Sequence, residues 1–427
     1  MSSEPPRILV LDANRNSALS FIRSLHRKGV EVTAGSRSRF TRGTLSRAAS
    51  GTYVYPNPVD RPTRFVRHLA DYLEQNEYVA VVPMTDPTHS VLSKHKELIE
   101  STGTAVGVEE WETFVKANDK RRIAALATEL SIPIPETYAP ASLDEIVERA
   151  DEFTYPVLLK PRLTSVVGAD GSYTEQRISG ENYVESPAAL VSAYRSFLEH
   201  SEHSLQEPPL VQEVVPGATM ATTALAENGA CIAHFQEERL RTYPVDGGVG
   251  ALRVGVREPE MVQYATTIIE ALEWTGPIYV EFMRLPDGTF RLIEVNGRYW
   301  GSLALAVNSG VDFPWLHYQQ LSGDTPEWNG RYRTDVRQRR LFYRDINWLR
   351  TKLSTGEYGA MYPFVTSFFN SREEVLTPHD PLPLVGVAWE TVKQLAETGW
   401  ERTDDLWTER NEVDSSERES VSMATNR

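Results

Sequence analysis

Glu281 and Glu294 are the residues of this chain best placed to do chemistry together. They lie in IYVEFMRLPDGTFRLIEVNGRYWG, residues 278 to 301, where Asp287-Gly288 is a two-residue turn signal flanked by strand-forming residues. With those two residues as the loop, Glu281 faces Glu294, Arg284 faces Arg291, and Asn296 falls on the acids' face one step further along. Facing carboxylates destabilise a ladder unless a positive charge lies between them. Both strands are apolar on both faces, so they read as central and buried, where unpaired carboxylates are costly. Mg²⁺ takes one or two carboxylates and completes its octahedron with water and nucleotide phosphates, so this trio suits a Mg-nucleotide, with Mn²⁺ an alternative ion. An exposed hairpin with solvated acids is the competing reading.

Other polar residues fit the same chemistry. Lys160 ends the apolar strand of YPVLLKP and emerges beside a small-residue loop, 164 to 172, in which Gly168 and Gly171 leave backbone amides accessible to phosphate. The order G-x-x-x-x-G-K-[ST] is absent, so this is not a P-loop. Lys120 opens a helix, where a solvated face competes with phosphate binding. In VQEVVPG, residues 211 to 217, a strand runs into a Pro-Gly break and can offer backbone groups to an adenine edge, with Gln212 and Glu213 alongside. Arg239 and Arg241 alternate along EERLRTYP, which places both guanidinia on one face. They either grip a carboxylate or phosphate or salt-bridge to Glu237 or Glu238. Arg298, two residues past Asn296, is positioned to steady charge on a transferring phosphoryl group.

These residues need elements to hold them. RILVL, the helical spacing of DANRNSALSFIRSLHRKG and VEVTAG make a βαβ opening with parallel strands, extended by YVAVVPM and a helix to about residue 115. Its first turn lacks G-x-G-x-x-G, which argues against a dinucleotide there. Asp12, Asn14 and Asp86 sit where strands end, either as ligand contacts or as caps and turn formers. From Asn118 come a capped amphipathic helix, a helix over 142 to 150, the Lys160 strand, PLVQEVV, and a hairpin turning at Asn228-Gly229. The apolar pieces YGAMYPFVTSFF and PLPLVGVAWETV are expected to pack on the core, a dimer face or a membrane surface being the alternatives.

A chain of 427 residues with 41% hydrophobic content supports two to four domains at roughly 100 to 200 residues each. The net charge of -15 argues against nucleic acid as an obligate partner. The single cysteine, Cys231, excludes an internal disulfide and most thiolate metal sites. No apolar run reaches about 18 residues and the N-terminus lacks a signal-peptide build, so the expected location is cytoplasmic, without stable membrane insertion.

Taken in order and spacing, Lys120, Lys160 in VLLKP, the small-residue loop, QEVVPG, RLRTYPVDGG, VEFMR and EVNGRYWGS resemble the ATP-grasp superfamily, closest to its carbamoyl-phosphate-synthase-like and carboxylate-amine ligase branch. The likeness runs over residues 7 to 320. It implies an α/β and α+β fold: a Rossmann-like preATP-grasp domain over 1–115, then a two-lobed ATP-grasp domain over 116–325. The lid would cover about 116–215 and the metal-binding lobe 216–325; beyond the likeness follow a mixed C-terminal extension over 326–407 and a tail over 408–427 whose few apolar residues make it an expected disordered segment. By the same likeness Lys120 and Lys160 contact ATP phosphates, with Gly168 and Gly171 in the covering loop. Gln212, Glu213 and Val215 hold adenine and ribose, and Glu281, Glu294 and Asn296 bind Mg²⁺. Arg239, Arg241 and Arg298 face the γ-phosphate and acyl acceptor. The implied reaction joins a small-molecule carboxylate to an amine through an acyl phosphate, releasing ADP and phosphate, and a homodimer is compatible with it. Bicarbonate or phosphoryl-transfer chemistry on the same fold, or a non-catalytic ATP sensor, are the alternatives. Two departures stand out: Gly297 occupies the position usually held by Pro, and GATMAT, with Met220, replaces the segment that commonly brings an acidic residue to the ribose.

Overall fold

The computed structural model describes residues 5–163, 165–167, 173–175, 180–199, 207–245 and 248–393. Gly168, Gly171 and the expected tail therefore lie outside the described residues.

The short apolar runs near the N-terminus become β1 (Arg7–Val10), β2 (Glu31–Ser36), β3 (Gly51–Val54), β4 (Ala80–Val82) and β5 (Ala105–Val106), an all-parallel sheet in the order β3-β2-β1-β4-β5. Period-two alternation sends Ile8 and Val10 to one core with Phe21 and Ile22 of helix Asn16–Arg27, and Leu9 to the other with Phe65 and Leu69 of helix Pro62–Glu74. Asp12, just past β1, is fully engaged by the fold. Its carboxylate accepts from Tyr55 Oη and Met84 N at 3.0 Å and from the hydroxyls of Thr85 and Thr88. It ties two strand ends together, which removes it as a free ligand contact.

A smaller antiparallel sheet is built from β6 (Thr137–Tyr138), β7 (Val157–Lys160), β10 (Tyr183–Val184) and β11 (Leu210–Glu213), in the order β10-β7-β11-β6, with β8 (Ser165–Val167) and β9 (Tyr173–Glu175) forming a separate ribbon. Val157, Leu159 and Val211 pack on Ile146, Leu190 and Tyr194 of the covering helices. The alternate residues, Leu158, Lys160, Leu210 and Gln212, therefore point to the opposite face.

The largest sheet comprises β12 (Ala218–Glu227), β13 (Ala230–Tyr243), β14 (Val249–Val256), β15 (Gly276–Arg284), β16 (Phe290–Asn296), β17 (Arg337–Arg339) and β18 (Arg372–Glu373), ordered β16-β15-β12-β13-β14-β17-β18. β12 turns into β13 through Asn228 and Gly229, both at positive φ as a tight hairpin requires. One face carries Ala221, Phe235 and Tyr279 into the core shared with helix Asn16–Arg27 and with Leu303, Leu305 and Phe313. The other carries Met220, Ala224, Val280 and Phe282 onto Met261, Ala265 and Ile268 of helix Pro259–Ala271.

The C-terminal expectation needs correcting. Helix Met361–Asn370 buries only Ser367, and Tyr362 and Phe369 are 77% and 85% exposed, so YGAMYPFVTSFF does not pack as a core element. Its inward attachment runs through Arg339, whose guanidinium lies 3.6 Å from the Phe368 ring centroid. Among the described residues no helix is long and apolar enough to cross a membrane.

Candidate functional site

The hairpin that carries the two acids reaches the expected pairing by an unexpected route. Leu285 N donates to Thr289 O at 2.8 Å and Gly288 sits at φ 88, so the loop holds three residues, Pro286 to Gly288, rather than two. One extra loop residue shifts the ladder beside it: Arg284 pairs with Phe290, Met283 with Arg291 and Phe282 with Leu292. Arg284 and Arg291 are thus not opposed. A β-bulge at Ile293 then takes up the extra residue and restores Glu281 opposite Glu294, with Tyr279 opposite Asn296. The bulge turns the Ile293 carbonyl to the small sheet, where it accepts from Lys160 Nζ at 2.8 Å.

Lys160 is 1% exposed. Its ammonium also reaches Gln212 Oε1 at 3.3 Å, and Gln212 Nε2 is held by Thr137 Oγ1 at 2.9 Å. Burial, opposed by Glu294, pushes the Lys160 ammonium down to about 8. Burial alone would raise Glu294, but the charges of Lys120 and Lys160, a hydrogen bond to Asn296 and the charge of Arg298 bring it below the usual carboxylate range. Lys120 heads helix Lys120–Glu129, whose N-cap Asp119 accepts from the amides of Arg121 and Arg122. Lys120, Lys160, Gln212, Leu210 and Glu294 line one cleft. This cleft, between β16 and the small sheet, has the donor set and apolar walls of a nucleotide site. Glu213 is exposed, its carboxylate accepting from Glu136 N at 3.1 Å, and Val215 follows in the half-buried strand exit.

On the far side of Glu281 the charges alternate. The Glu281 carboxylate accepts from the Arg239 guanidinium and, at 3.0 Å, from Tyr279 Oη, while Arg239 Nη2 also meets Tyr279 Oη at 2.9 Å. Arg298 Nε donates to Asp86 Oδ2 at 2.6 Å, so Asp86, which opens helix Asp86–Lys94 after β4, reaches the site from the parallel-sheet unit. Glu281 and Glu294 side by side, with the Asn296 amide adjacent, offer the hard oxygen donors Mg²⁺ prefers. Among the described residues no group of three or more His, Cys, Asp or Glu side chains is placed to hold a metal ion.

Arg241 is not part of this group. A β-bulge at Leu240 shifts the phase between Arg239, paired with Arg253, and Arg241, paired with Leu252, so the two guanidinia leave opposite faces of the sheet. Arg241 binds buried Asp345 at 2.7 and 3.0 Å and stacks 4.5 Å from the Trp348 ring centroid. Sequence spacing also missed Glu237 and Arg253, which join the site face through strand register, and Arg340, which binds Glu374 and the Gly301 carbonyl. The run RQRR was the available signal, but nothing local showed which of its guanidinia faces inward. Gly297 has a packing reason: a Cβ there would fall 2.1 Å from Trp274 Cη2.

Residues 206–341 match the family profile described as ATP-grasp in the biosynthetic pathway with Ter operon. The carbamoyl phosphate synthase large chain of Thermomicrobium roseum is 24% identical over 281 residues, covering 64% of this chain and 24% of that one, so the chain spans about a quarter of its relative. Among solved structures, the biotin carboxylase domain of Hydrogenobacter thermophilus 2-oxoglutarate carboxylase, a dimer in complex with MgADP, ADP and bicarbonate, aligns at TM-score 0.59 and 16% identity. That alignment covers 78% of this chain and 73% of the other. The L-amino acid ligase of Bacillus licheniformis aligns at TM-score 0.57 and 16% identity over 79% of each chain. These likenesses establish the fold.

Proposed function

We propose that this chain, whose residues 206–341 match an ATP-grasp profile, is an ATP-dependent ligase that activates a small-molecule carboxylate as an acyl phosphate and passes the acyl group to an amine. The observation that carries the proposal is the convergence of Lys120, Lys160, reached through the Ile293 bulge, and Glu294 on one cleft, with Glu281 paired to Glu294 on the adjacent strand. In this reading the parallel sheet over residues 1–115 is the preATP-grasp domain, 116–215 the lid, 216–325 the metal-binding lobe and 326–407 an extension.

Lys120 and Lys160 neutralise phosphate oxygens of ATP, and their shared cleft with Leu210 and Gln212 takes the nucleotide. Glu281, Glu294 and Asn296 would hold Mg²⁺, which when bound supplies charge neutralisation at the transferring phosphoryl group. Arg298, oriented by Asp86, places a fixed cation beside the same acids. The carboxylate oxygen of the substrate attacks the γ-phosphorus, the bond to the β-phosphate oxygen breaks, and ADP leaves. The amine then displaces phosphate from the acyl carbon and loses its proton to give the amide. A homodimer belongs to the same reading.

The test is ADP and phosphate release from Mg-ATP by the purified protein, screened against pools of carboxylic acids and amines, with Glu294→Gln as control. ADP formation that requires both a carboxylate and an amine and vanishes in the control is the expected result. Nucleotide binding without turnover in any pool would refute the ligase reading.

A further inference from the structure

Beyond Glu281, on the side away from Lys160, the same sheet face holds a second polar group that phosphoryl transfer does not use. Strand register places Glu237 in one row with Ala221, Glu281 and Glu294, so Glu237 lies two strand spacings, about 10 Å, from Glu281 across a small alanine. Arg239 and Arg253 are cross-strand partners in the adjacent row. Glu237 and Arg253 are 1% and 4% exposed.

Their hydrogen bonding is incomplete in a specific way. Glu237 Oε1 accepts from Ser302 Oγ at 2.6 Å and lies 3.7 Å from Arg253 Nε, too far for a hydrogen bond. Glu237 Oε2, Arg253 Nε and Arg239 Nε are buried and have no hydrogen-bond partner among the described residues. Each such group is costly relative to a satisfied one, and a native fold keeps three of them together only for a reason. Glycines clear the space: a Cβ at Gly250 would lie 2.5 Å from Arg253 Nε, and one at Gly301 would lie 3.0 Å from Arg340 Nη2. Gly301, whose carbonyl accepts from Arg340, is exposed at the edge of the group.

The orphaned atoms are one carboxylate acceptor and two guanidinium donors. A carboxylic acid alone would satisfy the donors and leave Glu237 Oε2 facing its negative charge. An amine alone would do the reverse. We propose that this group recognises the carboxylate substrate as an α-amino acid zwitterion, with the ammonium on Glu237 Oε2 and the carboxylate on the Nε–H groups of Arg239 and Arg253. The inference rests on the ligase reading above and names its acyl donor. Burial and the neighbouring Arg340 charge push the Arg253 guanidinium down to about 10, a local deficit of negative charge that a substrate carboxylate fills. Because Arg239 also binds Glu281, the carboxylate so held lies next to the acids that face the γ-phosphate. Ser302 is a positioning residue that fixes the Glu237 rotamer.

The experiment uses the full chain with Mg-ATP and hydroxylamine as a generic acceptor, which releases phosphate from an acyl phosphate and leaves a hydroxamate. Donors are the common L-amino acids, their N-acetyl derivatives and the matching carboxylic acids without the amino group. Thermal stabilisation by Mg-AMPPNP is measured in parallel. Hydroxamate and ADP should form with at least one amino acid, with kcat/KM at least 100-fold above its two analogues. Glu237→Gln should raise the KM for that amino acid tenfold or more and erase most of the preference over the des-amino acid, while the KM for ATP stays within about twofold. Arg253→Lys, which keeps the charge but not the Nε–H, should raise the amino-acid KM likewise and serves if Glu237→Gln does not fold. Equal use of the des-amino acids, or Mg-AMPPNP binding with no response to any amino acid, would overturn the zwitterion site and leave the nucleotide site standing. Absence of Mg-AMPPNP binding would overturn the ligase reading and this inference with it.

Discussion

Replacing Lys160 with methionine is expected to make the nucleotide-free protein more stable at neutral pH and nearly inactive. The ammonium is held at about 8 against an ordinary value of 10.5, and at about 1.4 kcal/mol per pH unit this costs the charged form about 3 kcal/mol, attraction to Glu294 and Glu281 included. Methionine removes that cost and keeps the volume, but leaves Ile293 O and Gln212 Oε1 without a donor, at about 1 kcal/mol each. The balance at pH 7 is about 1 kcal/mol in favour of the variant. Between pH 8 and 10.5 the unfolded chain keeps a proton on Lys160 that the folded chain has released, so wild-type stability rises with pH across that window relative to the variant. By pH 10 the penalty has fallen to about 1 kcal/mol and the order reverses. Thermal unfolding of both proteins without nucleotide, at pH 7 and pH 10, reads this crossing directly. ADP release should fall by on the order of 100-fold or more, because a phosphate-facing cation is gone. A variant that is less stable than wild type by the same margin at both pH values would refute the account of Lys160 as a strained, functional cation.

Three further outcomes follow from the packing and register. Glu294→Gln should weaken Mn²⁺ binding, measured by electron paramagnetic resonance with AMPPNP present, and cut ADP release by on the order of 10³; unaltered Mn²⁺ affinity would move the ion elsewhere. Arg241→Met should lower stability by about 2 to 4 kcal/mol, because Asp345 is fully buried and loses the Arg241 Nη1 that reaches both its oxygens, keeping only Arg339 at 3.6 Å, yet leave the KM for ATP unchanged, since the contact lies on the opposite sheet face. A KM rise for ATP would return Arg241 to the site. Gly297→Ala should destabilise by about 1 to 3 kcal/mol through overlap with the Trp274 ring, and Trp274→Leu in the same chain should recover part of that loss; a neutral Gly297→Ala would show that Trp274 moves freely.

Much of the architecture is legible because it rests on local rules. Ile8 to Leu11 must be a buried strand, since polar residues are missing from both faces, and Asn228-Gly229 supplies the two positive φ values of a tight hairpin. Asp119 before Lys120 and Ser142 before Leu143 cap helices through their own side chains. Register was harder. The Asp287-Gly288 loop holds one more residue than its turn signal implies, and only the compensating bulge at Ile293 kept Glu281 opposite Glu294. The same kind of event at Leu240 sent Arg241 away from Arg239. A bulge has no reliable sequence mark, because it is chosen by what both faces of the strand must bury, and those partners lie far away in the chain.

The sequence by itself determined the residue types of the nucleotide cleft: two carboxylates, an amide and Lys160 on strands whose apolar flanks forbid leaving those charges unpaired, and Lys120 at the head of a helix. It also determined the parallel opening sheet, through the alternation of short apolar runs with a helical period. Tertiary structure alone decided which guanidinia join the acids. Arg239, Arg253 and Arg298 reach one face, whereas Arg241 goes to the other, and Asp86 arrives from the parallel-sheet unit to hold Arg298. Electrostatic partnership depends on distances of a few ångströms between segments up to hundreds of residues apart, and strand phase, which a single bulge inverts, sets those distances.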